Sequence, residues 1–131
     1  MLFDECGYTK QRAPIGDAAI PYYVQQSRQF RSIYGGVLRI DFYSWHPSKY
    51  PSGLVIECKA QETPGSVDEK YPYTLENLRE TGCAAILIVE GNGPKNGAIE
   101  WCRQQAANSD WFRFYHGYRA FQSAVRKEGL L

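Results

Sequence analysis

Two strand-like runs joined by a turn-rich segment constrain this chain more than any other feature. The first run, RIDFYSW, spans residues 39–45, and the second, LVIECKAQ, spans residues 54–61. Both are rich in β-branched, aromatic and aliphatic residues, whereas residues 46–53 between them include two prolines, two serines and a glycine. This pattern is typical of a β-hairpin with a long polar connection.

Side chains alternate between the two faces of a strand, so each run predicts which residues share a face. One face of the second run carries four side chains: Val55, Glu57, Lys59 and Gln61. The other face carries Leu54, Ile56, Cys58 and Ala60. In the first run, one face carries Arg39, Asp41 and Tyr43. The other face carries Ile40 and Phe42. Acids, a lysine and a glutamine can thus converge on one patch, which is the candidate active site.

Length and composition set the remaining bounds. A chain of 131 residues is expected to form one domain over residues 1–131. Its content of 44% hydrophobic and 15% aromatic residues is sufficient for a packed core, which argues against disorder. With a net charge of +1, a nucleic-acid binder of this composition would need a local basic patch.

The cysteines argue against a zinc site and against a thioredoxin-type redox motif. Cys6, Cys58, Cys83 and Cys102 are widely spaced and form no C-x-x-C pair. We expect the chain to be reduced and cytoplasmic. No basic-then-apolar leader opens the sequence, and no apolar run approaches the roughly 20 residues of a membrane-spanning helix, so no membrane association is expected.

The coarse order of elements is predicted to be β-β-β-α-β-α, after at most a helical turn near residues 3–8. Strands at 22–31, 37–45 and 54–61 would form an antiparallel meander. A capping box at residues 66–69 precedes a helix that either kinks at Pro72 or begins there and ends at residues 81–82. The apolar run 84–90 is typical of a strand paired in parallel and covered on both faces. The remaining elements are predicted to be a helix at 98–107, a short strand at 111–115 and a helix at 118–127. Ile99 and Cys102 are expected to face inward from the first of these helices.

Two carboxylates on adjacent strands favour a hard divalent cation between them. Like charges repel unless something positive lies between them, and oxygen ligands suit magnesium. Lys59, two residues after Glu57, points the same way as that acid. The alternative is a solvent-exposed strand face on which Glu57 and Lys59 form an ordinary ion pair.

The same residues resemble the signature of the PD-(D/E)XK nucleases, the restriction-endonuclease-like superfamily. Asp41 is followed by fifteen intervening residues and then by Glu57-x-Lys59, and Gln61 extends this motif to E-x-K-x-Q. Residues 65–70 and the following Pro-Tyr pair resemble the segment after E-x-K in some members. Two features depart from the pattern: Ile40 replaces the proline, and the helix that should precede the first strand is short or absent. Glu5 is the candidate for the glutamate that this helix often supplies.

The resemblance implies a fold and a set of roles. The fold would be an α/β (α+β) mixed sheet with a restriction endonuclease-like core, in which an antiparallel meander is followed by α-β-α. Asp41, Glu57 and the backbone carbonyl of Cys58 would hold one or two Mg²⁺ ions, for which Mn²⁺ could substitute. Lys59 would orient or help deprotonate the attacking water, and Gln61 would position the water or the substrate strand.

Further cations are candidates for binding the substrate backbone: Arg39, Lys49, Lys70 and Lys95. Lys70 lies near the predicted helix start, where backbone amides also favour anions. Lys95 lies in the glycine-rich stretch 91–97, which invites a nucleotide-binding interpretation. That stretch lacks the G-K-[ST] of a P-loop, so it is predicted to be a plain strand-to-helix loop.

The function implied is that of a magnesium-dependent endodeoxyribonuclease, either restriction-type or structure-specific, with DNA as its partner. The products would be 5′-phosphate and 3′-hydroxyl ends. Cutting both strands of a duplex would require a homodimer, and no organic cofactor is expected. The alternative is a catalytically inactive protein of the same fold that binds nucleic acid or acts as a scaffold.

Overall fold

The computed structural model describes residues 2–16, 18–65 and 70–131. In chain order its helices and strands are α1 (Leu2–Glu5), β1 (Thr9–Gln11), β2 (Tyr22–Arg31), β3 (Val37–His46), β4 (Tyr50–Ala60), α2 (Tyr71–Glu80), β5 (Ala84–Glu90), α3 (Asn96–Ala107), β6 (Phe112–His116) and α4 (Tyr118–Glu128). Within the described residues, six strands form one sheet in the order β1-β2-β3-β4-β5-β6. The mixed α/β class predicted from the sequence is confirmed.

The antiparallel meander is formed by β2, β3 and β4. The predicted strand at 22–31 coincides with β2, and the one at 37–45 is one residue shorter than β3. The ladder pairs Tyr22 with Trp45 across β2 and β3, and Phe42 with Ile56 across β3 and β4. The strands that carry the two acids are therefore direct neighbours.

The long polar connection predicted between these two strands is wrong. β4 begins at Tyr50 rather than at residue 54, and only residues 47–49 form the turn. His46 closes this turn, because its Nδ1 accepts the backbone N–H of Ser48 at 3.1 Å and of Lys49 at 3.0 Å. The β3–β4 ladder shifts register beside His46, and such an irregularity accommodates Pro51 within the strand.

Helices cover both faces of the sheet. α2 and α3 pack on one face through a buried cluster that includes Leu78, Ile99 and Cys102. α1 and α4 pack on the other face through a second cluster that includes Phe3 and Phe121. The inward orientation predicted for Ile99 and Cys102 is confirmed. Among the described residues, no helix is long and apolar enough to cross a membrane.

The apolar strand β5 lies between these two layers. It pairs in parallel with β4 on one side and with β6 on the other. Leu87 and Val89 belong to the cluster under α2 and α3, whereas Ile86 and Ile88 belong to the cluster under α4. Burial on both faces is the reason why the run is almost continuously apolar, as predicted.

The remaining element predictions differ from the structure mainly at their ends. α2 begins at Tyr71 with Pro72 in its first turn, where a missing backbone N–H interrupts no helical hydrogen bond. This agrees with a helix that starts at the proline instead of kinking there. The capping box predicted at residues 66–69 lies outside the described residues. The short polar strand β1, which pairs in parallel with β2, was not predicted, because three residues show no clear alternation.

The predicted faces hold for β4 but not throughout β3. Alternation predicts Ile40 and Tyr43 on opposite faces of β3, yet both are buried in the cluster that contains Val55. Phe42 packs against the cluster on the other face of the sheet. The alternation is interrupted where the ladder between β3 and β4 ends, at the pair Phe42–Ile56. Beyond this pair β3 is no longer held in register with β4, and Ile40 is buried beside α2.

The glycine-rich loop before α3 packs against the chain that leaves β4. The backbone N–H of Gly93 donates to the carbonyl of Gln61 at 2.9 Å. A Cβ added at Gly91 would lie 2.2 Å from that carbonyl oxygen, and one at Gly93 would lie 2.6 Å from the backbone N and O of Thr63. The glycines thus permit a close backbone contact, as expected for a strand-to-helix loop.

We predict opposite effects on stability for alanine at two glycines of this region. Gly93→Ala should lower the free energy of unfolding by about 1–3 kcal/mol, because its Cβ meets backbone atoms that cannot move freely. Gly97→Ala lies inside α3 with no heavy atom within 4 Å of the added Cβ, and should raise that free energy by up to about 1 kcal/mol. Urea unfolding followed by tryptophan fluorescence measures both. Equal stability of the two variants would contradict the packing described.

Candidate active site

A cleft of about 320 Å³ lies on the α2 face of the sheet, between the diverging ends of β3 and β4 and the first turns of α2. It brings together most of the residues that the sequence singled out. Its lining residues are Leu38, Arg39, Ile40, Asp41, Glu57, Cys58, Lys59, Lys70, Tyr73, Thr74, Asn77 and Leu78. Two acids and three cations therefore share one concave surface.

The two acids bridge the point where the strands separate. The β3–β4 ladder ends at the pair Phe42–Ile56. Asp41 immediately precedes Phe42 on β3, and Glu57 immediately follows Ile56 on β4, so the two acids lie side by side just past the end of the ladder. Oδ2 of Asp41 accepts the backbone N–H of Cys58 at 2.8 Å. The side chain of Glu57 in turn interacts with both the side chain and the backbone of Asp41. Asp41 thus binds a backbone amide of the opposite strand, and the two acidic side chains lie against each other.

Glu57 occupies a strongly perturbed environment. Its side chain is buried, with 9% of the residue exposed. Burial raises the pKa of Glu57 to about 8, with further increases from a side-chain hydrogen bond with Asp41 and from the negative charge of Asp41. The positive charge of Lys59 acts in the opposite direction on this pKa. Without a bound cation, the pair therefore retains a proton near neutral pH.

This donor set fits a hard divalent cation. Two hydrogen-bonded carboxylate groups are oxygen ligands that a cation can bind in place of the shared proton. Within the described residues, no group of three or more His, Cys, Asp or Glu side chains is arranged to hold a metal ion. A cation at this position would consequently need backbone carbonyl or water oxygens besides Asp41 and Glu57.

Cys58 can contribute through its backbone but not through its sulfur. Although the residue is exposed overall, its thiol borders a small apolar cavity on the opposite face, lined by Phe42, Ile56 and Phe121. Burial of the thiol, and the negative charges of Asp41 and Glu57, raise its pKa to about 12. A sulfur is in any case a poor ligand for a hard cation such as Mg²⁺, which prefers oxygen.

Gln61 lies outside the cleft. Its Oε1 accepts the hydroxyl of Tyr71 at 2.7 Å, and its Nε2 donates to the carbonyl of Thr63 at 3.1 Å. The residue is buried, with 4% exposed. Both ends of the amide are therefore used in joining β4 to the start of α2.

The structure also separates three charged residues from the cleft. Lys49 donates to the carbonyls of Gly129 and Leu131 and so ties the β3–β4 turn to the C-terminus. Lys95 is the N-cap residue of α3 and does not line the cleft. Glu5 forms an exposed ion pair with Arg126 of α4 at 3.4 Å, on the opposite face of the sheet.

Three cleft residues on α2 were not predicted from the sequence: Tyr73, Thr74 and Asn77. Asn77 is buried, and its Oδ1 accepts the backbone N–H of Ile33 at 2.8 Å, which fastens the β2–β3 turn to α2. A polar residue between the apolar positions Leu75 and Leu78 was the available signal. It could not identify a partner 44 residues away.

Comparison with known families agrees with this geometry. A family model described as a PD-(D/E)XK nuclease superfamily domain matches residues 2–122. This confirms the resemblance carried by the motif residues in the sequence. Comparison with curated proteins and with solved structures gave no match. Proteins of this superfamily are generally nucleases that act on nucleic acid and typically use divalent metals.

The raised pKa of Glu57 predicts how the metal-free protein responds to pH. Between pH 4.5, the ordinary pKa of a glutamate, and about 8, the folded protein holds a proton that the unfolded chain releases. Stability should therefore fall as pH rises through this window. Glu57→Gln should abolish the fall and raise Tm by about 3–5 °C near pH 9, corresponding to about 1 kcal/mol.

Thermal melts in EDTA at about pH 5 and about pH 9 measure the effect. Glu100→Gln is the matched control, because it removes an exposed carboxylate from α3. A shift in Tm for Glu57→Gln that is equal at the two pH values would contradict a buried Glu57 that holds a proton.

Proposed function

We propose that this chain, which belongs to the PD-(D/E)XK nuclease superfamily, is a magnesium-dependent endodeoxyribonuclease. One observation carries the proposal: Asp41 and Glu57 are held together in a cleft that also contains Lys59. Holding the carboxylate of Asp41 against the buried Glu57 is unfavourable unless a cation or a proton compensates the charge. The arrangement is well suited to binding metal and costly as a purely structural feature.

The residues that would hold Mg²⁺ are Asp41 and Glu57, with the backbone carbonyl of Cys58. When bound, the ion would act as a Lewis acid on the scissile phosphate and lower the pKa of a coordinated water. Mn²⁺ has similar preferences for oxygen ligands and is expected to substitute. Glu57 would release its shared proton on metal binding, so metal affinity would increase with pH.

Lys59 has the central role among the cations. It lies on the same strand as Glu57, and its positive charge lowers the pKa of that residue. The ammonium group of Lys59 is therefore within electrostatic reach of the metal-binding position. It would orient the attacking water and stabilise the negative charge that accumulates on the phosphoryl oxygens. Arg39 and Lys70 line the same cleft and would hold neighbouring phosphates of the substrate backbone.

The reaction is hydrolysis of a phosphodiester bond. The water oxygen forms a bond to phosphorus, and the bond between phosphorus and the 3′-oxygen breaks. The water gives up a proton, and the leaving 3′-oxygen takes one from solvent, which yields 5′-phosphate and 3′-hydroxyl ends. Because one cleft hydrolyses one strand at a time, a double-strand break would require two copies of the chain, most simply as a homodimer.

Lys59→Ala should lower the rate of magnesium-dependent nicking of supercoiled plasmid by at least about 100-fold, because charge stabilisation in the transition state is lost. Lys127→Ala is the matched control: this exposed lysine is in the last turn of α4, which packs on the opposite face. Agarose gels of timed reactions measure both variants, with EDTA as the metal-free reference. Cleavage by Lys59→Ala at the wild-type rate would contradict the assignment.

Cleavage assays with the wild-type protein distinguish a nuclease from an inactive scaffold of the same fold. If it cleaves neither duplex, single-stranded nor branched DNA with magnesium or manganese, the enzymatic proposal fails. DNA binding without cleavage would then support the nucleic-acid-binding alternative.

Magnesium should also stabilise the wild type. At about 100 times its Kd, the ion should raise the free energy of unfolding by about 2.7 kcal/mol. Asp41→Asn should lose this response, because a carboxylate ligand becomes a neutral amide, whereas Asp110→Asn, at an exposed residue before β6, should keep it. Thermal melts across a magnesium titration measure the effect. An equal response of wild type and Asp41→Asn would exclude Asp41 as a ligand.

A further inference from the structure

The β2–β3 hairpin extends past the edge of the cleft as a two-stranded ribbon. The first residue of β3 that pairs with β4 is Phe42. The pairing of β3 with β2 begins five residues earlier, at Val37, which pairs with Arg31. The ribbon ends in the turn formed by residues 32–36. The backbone N–H of Ile33 in this turn donates to Asn77 of α2, so the tip of the ribbon is fixed above the helix that closes the cleft.

An exposed tyrosine pair lies at this tip. Tyr34 is 84% exposed, and its ring stacks on Tyr73 of α2 with centroids 5.6 Å apart and an interplanar angle of 23°. Tyr34 is a large aromatic residue, and a ring of this kind is ordinarily buried to a greater extent. Because only one side of the Tyr34 ring contacts Tyr73, the other side is available to a flat ligand.

The tyrosine pair is continuous with the cleft and is flanked by positive charge. Tyr73 lines the cleft beside Lys70, and Arg39 lines it from the ribbon. Arg31 is exposed at the base of the turn, where its guanidinium donates to the carbonyl of Gly35 at 3.2 Å. Aromatic rings next to cations are the combination that binds unpaired nucleic acid, because bases stack and phosphates pair with charge.

We propose that Tyr34 is a stacking platform for an unpaired nucleobase close to the scissile phosphate. The inference rests on the proposed nuclease function and specifies its substrate class: DNA with single-stranded nucleotides at or beside the cleavage site. Base pairs inside a duplex have both faces covered by their neighbours, so away from duplex ends only an unpaired or extruded base can stack on this ring. Overhangs, flaps and single strands should therefore be preferred to uninterrupted duplex.

A second copy of the chain is the competing occupant of this surface, because Ile33 and Val37 are also exposed there, at 41% and 64%. The local charge disfavours it. A two-fold contact through the tip would bring Arg31 of each copy, together with the nearby Arg39 and Lys70, towards the same residues of the other copy. A polyanion, by contrast, complements all three cations.

The test measures binding in EDTA, so that it does not depend on cleavage. Fluorescein-labelled single-stranded oligothymidylate and a blunt duplex of equal length are titrated with wild type and variants, and fluorescence anisotropy gives Kd. Tyr34→Ala should weaken single-strand binding by about 5- to 150-fold, the loss typical of one stacked base. Duplex binding should change less than about twofold, because phosphate contacts dominate it.

Variants separate stacking from apolar contact and from folding. Tyr34→Trp should retain single-strand affinity, whereas Tyr34→Leu, which keeps apolar area without an aromatic face, should lose it. Tyr118→Ala is the matched control, since that tyrosine is 43% exposed on the opposite face of the sheet. Quenching of 2-aminopurine placed in the oligonucleotide should accompany binding to wild type and be absent with Tyr34→Ala.

The outcomes are distinguishable from those of the cleavage assays. Equal single-strand Kd for wild type and Tyr34→Ala, or tighter binding of duplex than of single strand by wild type, overturns the proposal whether or not the protein cuts DNA. Loss of a dimer in Tyr34→Ala without a change in DNA binding also overturns it, in favour of a second copy. Tyr34-dependent single-strand binding by a protein that proves unable to cleave supports the platform while rejecting the nuclease function.

Discussion

The contact between Asp41 and Glu57 is the interaction on which the site depends. The β3–β4 ladder ends at Phe42 and Ile56, and the next backbone amides would otherwise lose their cross-strand partners. The amide of Cys58 donates to Asp41, and Glu57 interacts with the side chain and the backbone of Asp41. The bond that joins the strands beyond the ladder therefore also holds Asp41 against Glu57, and burial of Glu57 raises the pKa of that residue.

Mixed strand directions determine what surrounds this pair. β4 is antiparallel to β3 and parallel to β5, so the chain must cross the sheet between β4 and β5. That crossover contains α2, which packs over the face occupied by Glu57 and closes the cleft with Lys70 and Tyr73. The opposite face is covered by α1 and α4 and contains the thiol of Cys58. One strand thus separates a polar site from an apolar layer.

The difference between Lys59 and Gln61 shows how far residue alternation can be used. Both were predicted on the face of Glu57, and Lys59 does line the cleft. Gln61 comes just after β4 ends at Ala60, where Tyr71 and Thr63 take up its amide. Alternation predicts the direction of a side chain within a regular strand. It contains no information about which groups from other segments cover that side chain, or about where the strand stops.

The sequence by itself determined the types and order of the principal elements and the pattern of Asp41, Glu57 and Lys59, because periodicity and short motifs arise from neighbouring residues. Only the tertiary structure decided which face buries Ile40 and where the tip of the β2–β3 hairpin is held. The contact between Ile33 and Asn77, which fixes that tip, joins residues 44 positions apart. Such contacts form only when the sheet and α2 pack together, and no local pattern of residue types encodes their pairing.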